Sequence, residues 1–323
     1  MKKLIRIVPI PMCGLILALV SLGNLLKEAG LVVFGTGLGI IGGILMLLIF
    51  GKLIFYPKEI AKELQQPVIA SVAPTFTMAL MVICTYLTDF PIISQQIRYV
   101  WLLLVGLHWG LMFYFTWRFV VSKKFQWENL FPSWFIVYVG IGVISVTAGK
   151  FYPIVGQVMF WVGLVLYLAL LPFILYRVFI FKKMPQATLP LTTIIAAPGS
   201  LCLTGYLKIV TQPSEFLVLS LFFLSQILYF LVLFQGKRLL KIPFFPSYAA
   251  FTFPLVISAT ACFQVQKFLF IHQVDTGFLP ILVVIEMGIA VAIVLYVLAR
   301  YGIFLSSTAK EPTGQEVADP AEN

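Results

Sequence analysis

Few residues in this chain have side chains suited to acid–base, nucleophilic or metal chemistry, and those few stand apart. The two histidines, His108 and His272, are far apart in sequence, and neither has a ligand partner at helical spacing. Cys13, Cys84, Cys202 and Cys262 lie in apolar runs with no C-x-x-C spacing, so they read as small packing residues. Glu286 is the one carboxylate well inside an apolar run. An acid at such depth is a functional candidate, because ionising it away from water costs several kcal/mol. Two roles stay open for Glu286 and for His108: proton coupling, or a structural part in packing and hydrogen bonding. No P-loop, HExxH or GxSxG motif occurs in a usable context. The sequence therefore predicts no catalytic residue, no metal site, no cofactor and no enzyme.

The elements that must position anything functional are apolar and long. Of 323 residues, 61% are hydrophobic and 11% charged, and mean hydropathy is +1.04. A soluble domain cannot hide that much apolar surface, so lipid is the expected solvent. A bilayer core takes about 20 apolar residues per helix. Ten such runs are predicted, at 7–26, 31–55, 69–88, 97–121, 131–149, 154–180, 190–208, 214–235, 246–265 and 277–302. They leave no room for a soluble catalytic domain. The predicted domains are a transmembrane domain over 1–305 and a disordered cytoplasmic tail over 306–323. The start resembles a signal peptide, but it lacks a small-x-small cleavage site and has prolines in its apolar part, so it reads as a retained first span.

The net charge of +10 is a topology signal rather than a nucleic-acid one. With the N-terminus inside, 17 of the 22 basic residues lie on the cytoplasmic side; only Lys27, Arg98, Lys150, Lys208 and Lys267 lie outside. The positive-inside rule then places both termini in the cytoplasm, as an even number of spans requires.

Prolines reveal an internal repeat. Pro67, Pro190 and Pro246 begin the third, seventh and ninth runs, and Pro74, Pro198 and Pro254 follow seven or eight residues later. The first run carries Pro11. The fifth opens at Pro132 and has Val137 and Gly140 where a second proline is expected. Kinks are thus predicted near 11, 74, 140, 198 and 254, at spacings of 63, 66, 58 and 56 residues. All fall on odd runs, whereas the fourth, sixth and eighth are bulky and aromatic, as suits a lipid-facing ring. An interior proline removes a backbone donor and frees a carbonyl. Such a break is tolerated at membrane depth only where protein or an aqueous cavity satisfies it. Five breaks at one level predict a shared central cavity. Its predicted lining is Pro11, Gly14, Ala73, Pro74, Val137, Gly140, Ala197, Pro198, Pro254 and Ile257. Phe253, the large residue beside its kink, reads either as a plug among small neighbours or as a core filler. A narrow, uncharged conduit favours ions that lose water easily.

The segments IPMCGLILALVSLGNLL, APTFTMAL, FPSWFIVYVGIGVIS, AAPGSLCLTGYL and AFTFPLV, in this order over residues 5–305, resemble the tellurite-resistance/dicarboxylate transporter family. That family includes the bacterial TehA proteins and the plant slow anion channels. The resemblance implies an all-α membrane protein of ten helices, paired as five hairpins in quasi-five-fold symmetry, with the odd helices forming an inner pore ring. It implies a homotrimer in the bacterial inner membrane, with one pore per protomer. It also implies conduction of small monovalent anions, blocked by a phenylalanine that AFTFP matches to Phe253. Secondary transport of dicarboxylates or related weak acids, tellurite included, is the alternative. Val137 departs from the proline of some relatives.

Overall fold

A computed structural model describes residues 2–122 and 126–310. Every regular element among them is helical. In chain order the α-helices are α1 (Lys2–Ile7), α2 (Met12–Glu28), α3 (Val32–Phe55), α4 (Pro57–Glu63), α5 (Pro67–Val72), α6 (Thr75–Leu87) and α7 (Ser94–Phe115). There follow α8 (Trp134–Tyr138), α9 (Gly142–Thr147), α10 (Pro153–Leu175), α11 (Ala197–Ile209), α12 (Glu215–Leu239), α13 (Phe253–Ile271) and α14 (Leu279–Lys310). Tight 3-10 turns over Gln186–Ala196 and Pro246–Phe251 lead into α11 and α13. α7 and α10 end in π-helical turns, Thr116–Val121 and Tyr176–Phe181.

Eight helical segments among the described residues are long and apolar enough to cross a membrane, so this is a multi-pass membrane protein. The runs at 7–26 and 131–149 are not among the eight. The first yields α2, of 17 residues, and the second is broken between α8 and α9. The polar tail expected from Ser306 begins as helix, since α14 continues to Lys310; the rest of that tail lies outside the described residues.

Burial separates two populations. In an 18-residue apolar stretch of each, 89% of the residues are buried in Pro246–Ile271 and in Gln186–Ile209, against 22% in Val32–Phe55 and 28% in Pro153–Phe181. The buried members close a ring: α2 packs on α6, α6 on α9, α9 on α11, α11 on α13, and α13 on α2. Outside it, α3, α7, α10, α12 and α14 each pack on a ring member beside them in sequence. Their outer faces carry exposed Phe34, Leu103, Val165, Phe223 and Val284, the apolar surface that lipid accepts without penalty.

Every ring member is interrupted, and each interruption has a chemical cause. Pro9 and Pro11 have no N–H, so Met12 bonds back to the Pro9 carbonyl (3.0 Å) and Gly14 to that of Pro11 (2.9 Å) in tight turns. The carbonyl of Val8 instead accepts from Lys52 Nζ (2.7 Å), a buried ammonium that also pairs with Glu63 (2.5 Å). At the Pro74 break, Thr75 donates to the Val72 carbonyl (2.7 Å) and Thr77 to that of Pro74 (2.8 Å). Ser200 donates to the Ala196 carbonyl (3.2 Å), and Ser258 to that of Pro254 (2.9 Å). The fifth run breaks without a second proline. Val139 and Gly140 both bond to the Phe135 carbonyl, at 2.8 and 3.0 Å, and a Cβ on Gly140 would drive into the Ile136 carbonyl. Only glycine fits that turn.

Lys52 holds the first of these breaks, and its side chain is only 4% exposed. Replacing Lys52 with Met keeps the apolar stem and leaves a carbonyl and Glu63 unpaired. Thermal unfolding in detergent should register a loss of about 2–4 kcal/mol. The exposed Lys58→Met control should move by less than about 0.5 kcal/mol.

Candidate functional site

The ring encloses two unequal chambers, each lined from all five odd-numbered runs. The narrow one, of about 60 Å³, is walled by Gly14, Val72, Met78, Phe135, Ile194 and Ala197, with hydroxyls only from Thr75 and Ser247. The wide one, of about 400 Å³, carries Asn24, Thr85, Thr147 and Thr260 together with Lys27, Glu28, Lys150 and Lys208. It is polar and roomy enough to hold water. Among the described residues only Phe253 and Leu201 line both. These two side chains are the septum between the chambers.

Local chemistry fixes the septum. The 3-10 turn Pro246–Phe251 ends at Thr252 and α13 begins at Phe253, so Phe253 sits where the backbone changes pitch. Thr252 Oγ1 donates back to the Ala249 carbonyl (2.7 Å) and anchors the corner. Phe253 is 8% exposed. Leu201 lies one turn past Pro198 on α11 and packs on Gly142, where an added Cβ would come within 2.9 Å of its Cγ. Gly142 is the notch that seats Leu201.

Of the residues singled out in the sequence, Pro11, Gly14, Gly140, Ala197, Pro198 and Pro254 line the narrow chamber, and Ile257 lines the wide one. Ala73, Pro74 and Val137 line neither; Val72 and Thr75 stand in for the first two, and Phe135, Ile136, Val139 and Gly140 for the last. One helical residue turns a side chain by about 100°, so a register read from the prolines alone misplaces neighbours across a break. Leu201 was missed because nothing in its type marks it; only its spacing from Pro198, next to the glycines of the fifth run, could have pointed to it.

His108 and Glu286 are fully buried and line neither chamber. Thr77 spends its proton on the Pro74 carbonyl, so the Nδ1–H of His108 donates to Thr77 Oγ1 (2.7 Å). His108 thus braces the second break from outside the ring. Glu286 lies on α14 beside Gln226 and Tyr229 of α12 and Cys262 of α13. Among the described residues there is no group of three or more His, Cys, Asp or Glu placed to hold a metal.

Of the two chambers, the wide one carries the charged lining residues. Glu28 pairs with Lys208 (2.6 Å) and accepts from Gln264 Nε2 (2.5 Å), tying α2, α11 and α13 together. Burial pushes the Glu28 carboxyl up, but Lys208, Gln264 and Lys267 outweigh it and hold it below the ordinary carboxylate range.

A proline-broken ring thus surrounds a narrow apolar chamber and a wide one lined by lysines. The voltage-dependent anion channel family (SLAC1) matches residues 8–301. The chain belongs to this family. SLAC1-family members are membrane channels and transporters that handle anions, not enzymes. The chain is also 24% identical over 282 residues to an uncharacterized transporter of Methanocaldococcus jannaschii, covering 78% of this chain and 80% of the relative. A second uncharacterized transporter of that archaeon is 22% identical over 258 residues, covering 69% and 72%.

A carboxylate held below its ordinary range stabilises the fold above its unfolded pKa, and that contribution is lost as pH falls through the folded value. Stability measured by thermal unfolding should therefore decline on acidification below about pH 4.5. The decline should be smaller in Glu28→Gln, which is less stable than the parent at pH 7 and nearer to it in acid.

Proposed function

We propose that this protein is an anion channel whose central pore is closed by Phe253. The observation that carries the reading is the septum: one aromatic ring and one leucine separate a polar, cation-bearing chamber from an apolar one. The lining holds no fixed charge at the constriction itself, so passage is governed by width and dehydration, which favours small monovalent anions. Lys27, Lys150 and Lys208 raise the local anion concentration at the wide mouth. Rotation of Phe253 opens the path, and the break before Pro254 gives its backbone room to turn.

In this reading α1–α2 and α8–α9 complete ten spans, arranged as five hairpins with quasi-five-fold symmetry. Residues 1–305 form the channel domain and 306–323 a cytoplasmic tail. The basic-residue bias puts both termini in the cytoplasm and the wide chamber outside. The protein works as a homotrimer in the bacterial plasma or inner membrane, with one pore per protomer. Ala73, Pro74 and Val137 support the pore wall from behind. His108 and Glu286 act in packing rather than in proton coupling.

Carrier-type transport of dicarboxylates or related weak acids, tellurite included, is the second reading, favoured by the lysines of the wide chamber. It predicts saturable, pH-coupled uptake, whereas a channel gives current that grows with anion concentration.

Phe253→Ala should raise chloride and nitrate current in oocytes or planar bilayers at least about tenfold over the parent. An unchanged current from well-expressed protein would remove Phe253 from the gate. On the Phe253→Ala background, Glu286→Gln should leave current within about twofold and thermal stability within about 1 kcal/mol. A larger fall in current, coupled to pH, would put Glu286 in the transport cycle.

A further inference from the structure

The rim of the wide chamber holds a feature that charge attraction in general does not explain. Lys27, at the end of α2, and Lys150, at the end of the 3-10 turn Ala148–Lys150, converge on one carboxylate, that of Asp89. Each lysine takes a different oxygen: Lys27 Nζ lies 3.4 Å from Oδ2 and Lys150 Nζ 3.3 Å from Oδ1. Both lysines also line the chamber, whereas Asp89 stands outside its lining, on the link between α6 and α7.

The two ammoniums are held from behind. Lys150 donates to the Thr85 carbonyl (2.8 Å) and to Thr88 Oγ1 (3.2 Å). Lys27 lies 4.8 Å from the centre of the Tyr86 ring, whose hydroxyl is fixed on the Val20 carbonyl (2.7 Å). The fork is therefore built by α2, α6 and the 3-10 turn that follows α9, and Asp89 only occupies it. Asp89 is more than half exposed, and its contacts are long for ion pairs. Exposed pairs of that kind are marginal, so displacing the side chain from the fork costs little. The second ion pair of the chamber differs. Glu28 is gripped at 2.6 Å by Lys208 and at 2.5 Å by Gln264, which makes it a tie between helices.

We infer that Lys27 and Lys150 form a capture site for small free carboxylates at the mouth of the wide chamber, with Asp89 as its tethered competitor. The warrant is that the fork already straddles the two oxygens of a carboxylate, in a chamber of about 400 Å³ with room for one more. This deepens the reading of the chamber as the mouth of an anion pathway and rests on it. Slight burial raises the Asp89 carboxyl, but Lys150 and Lys27 more than offset this and hold it below its ordinary range. With these two lysines the charged groups facing it, Asp89 stays charged through the neutral range, and the competition does not depend on pH there.

The test uses the purified full chain in detergent, with thermal unfolding followed against succinate or chloride at constant ionic strength. No ion has to cross, so a silent Phe253→Ala channel and a failed capture site are told apart. Asp89→Asn should lower the half-saturating succinate concentration about two- to sixfold, the factor by which a marginal competitor reduces the open fraction. Asp89→Glu should stay near the parent. Lys150→Gln should raise the succinate value at least about threefold. Chloride should show no comparable gain in Asp89→Asn. The capture site is wrong if Asp89→Asn leaves the succinate value unchanged or raises it, or if Lys150→Gln has no effect. A parallel gain for chloride would reduce the fork to general charge attraction and remove the carboxylate preference.

Discussion

The structure depends on finding donors for backbone carbonyls set free inside a membrane. An unbroken helix satisfies all its own polar groups, and a broken one in hydrocarbon does not. Each ring member of this protein is broken, and at the first two breaks a side-chain donor meets a carbonyl whose helical partner bonds elsewhere: Lys52 on Val8 and Thr75 on Val72. The breaks are affordable only because the outer helices exclude lipid from them. That single requirement separates a polar, small-residue interior from a bulky exterior, and it places the chambers where the breaks are.

Much of this was legible in the residues. Proline states its consequence directly, so the breaks at Pro11, Pro74, Pro198 and Pro254 could be read without coordinates, and with them the odd–even division. Gly140 was harder. A glycine permits a turn but does not demand one, and only the bonds of Val139 and Gly140 to the Phe135 carbonyl make the break visible. The facing of individual side chains was not legible. Ala73 and Val137 sit at repeat-equivalent positions yet line no chamber, because a break changes the helical phase by an amount that proline spacing does not encode.

Residues that act through shape left only a faint sign in their spacing. Leu201 shares the septum with Phe253 because Gly142 leaves a hollow beneath it, a relation between two helices that sequence order conceals. The basic residues were informative in bulk and silent one by one. Lys27, Lys150 and Lys208 counted only as outside charges, and their convergence on one cavity needs the folding together of α2, the 3-10 turn after α9, and α11. Lys52 counted as a cytoplasmic charge, and it is a buried hydrogen-bond donor.

The inequality of the two chambers also shapes the electric field. In the proposed channel, a wide space that admits water would bring the potential of the bulk solution down to the face of the septum. The drop across the bilayer, about 2.3 kcal/mol per elementary charge at 100 mV, would then be compressed into the apolar half of the axis beginning at Phe253 and Leu201. A charge or dipole placed at those two positions would feel nearly the full gradient, while one placed among the lysines of the wide chamber would feel almost none.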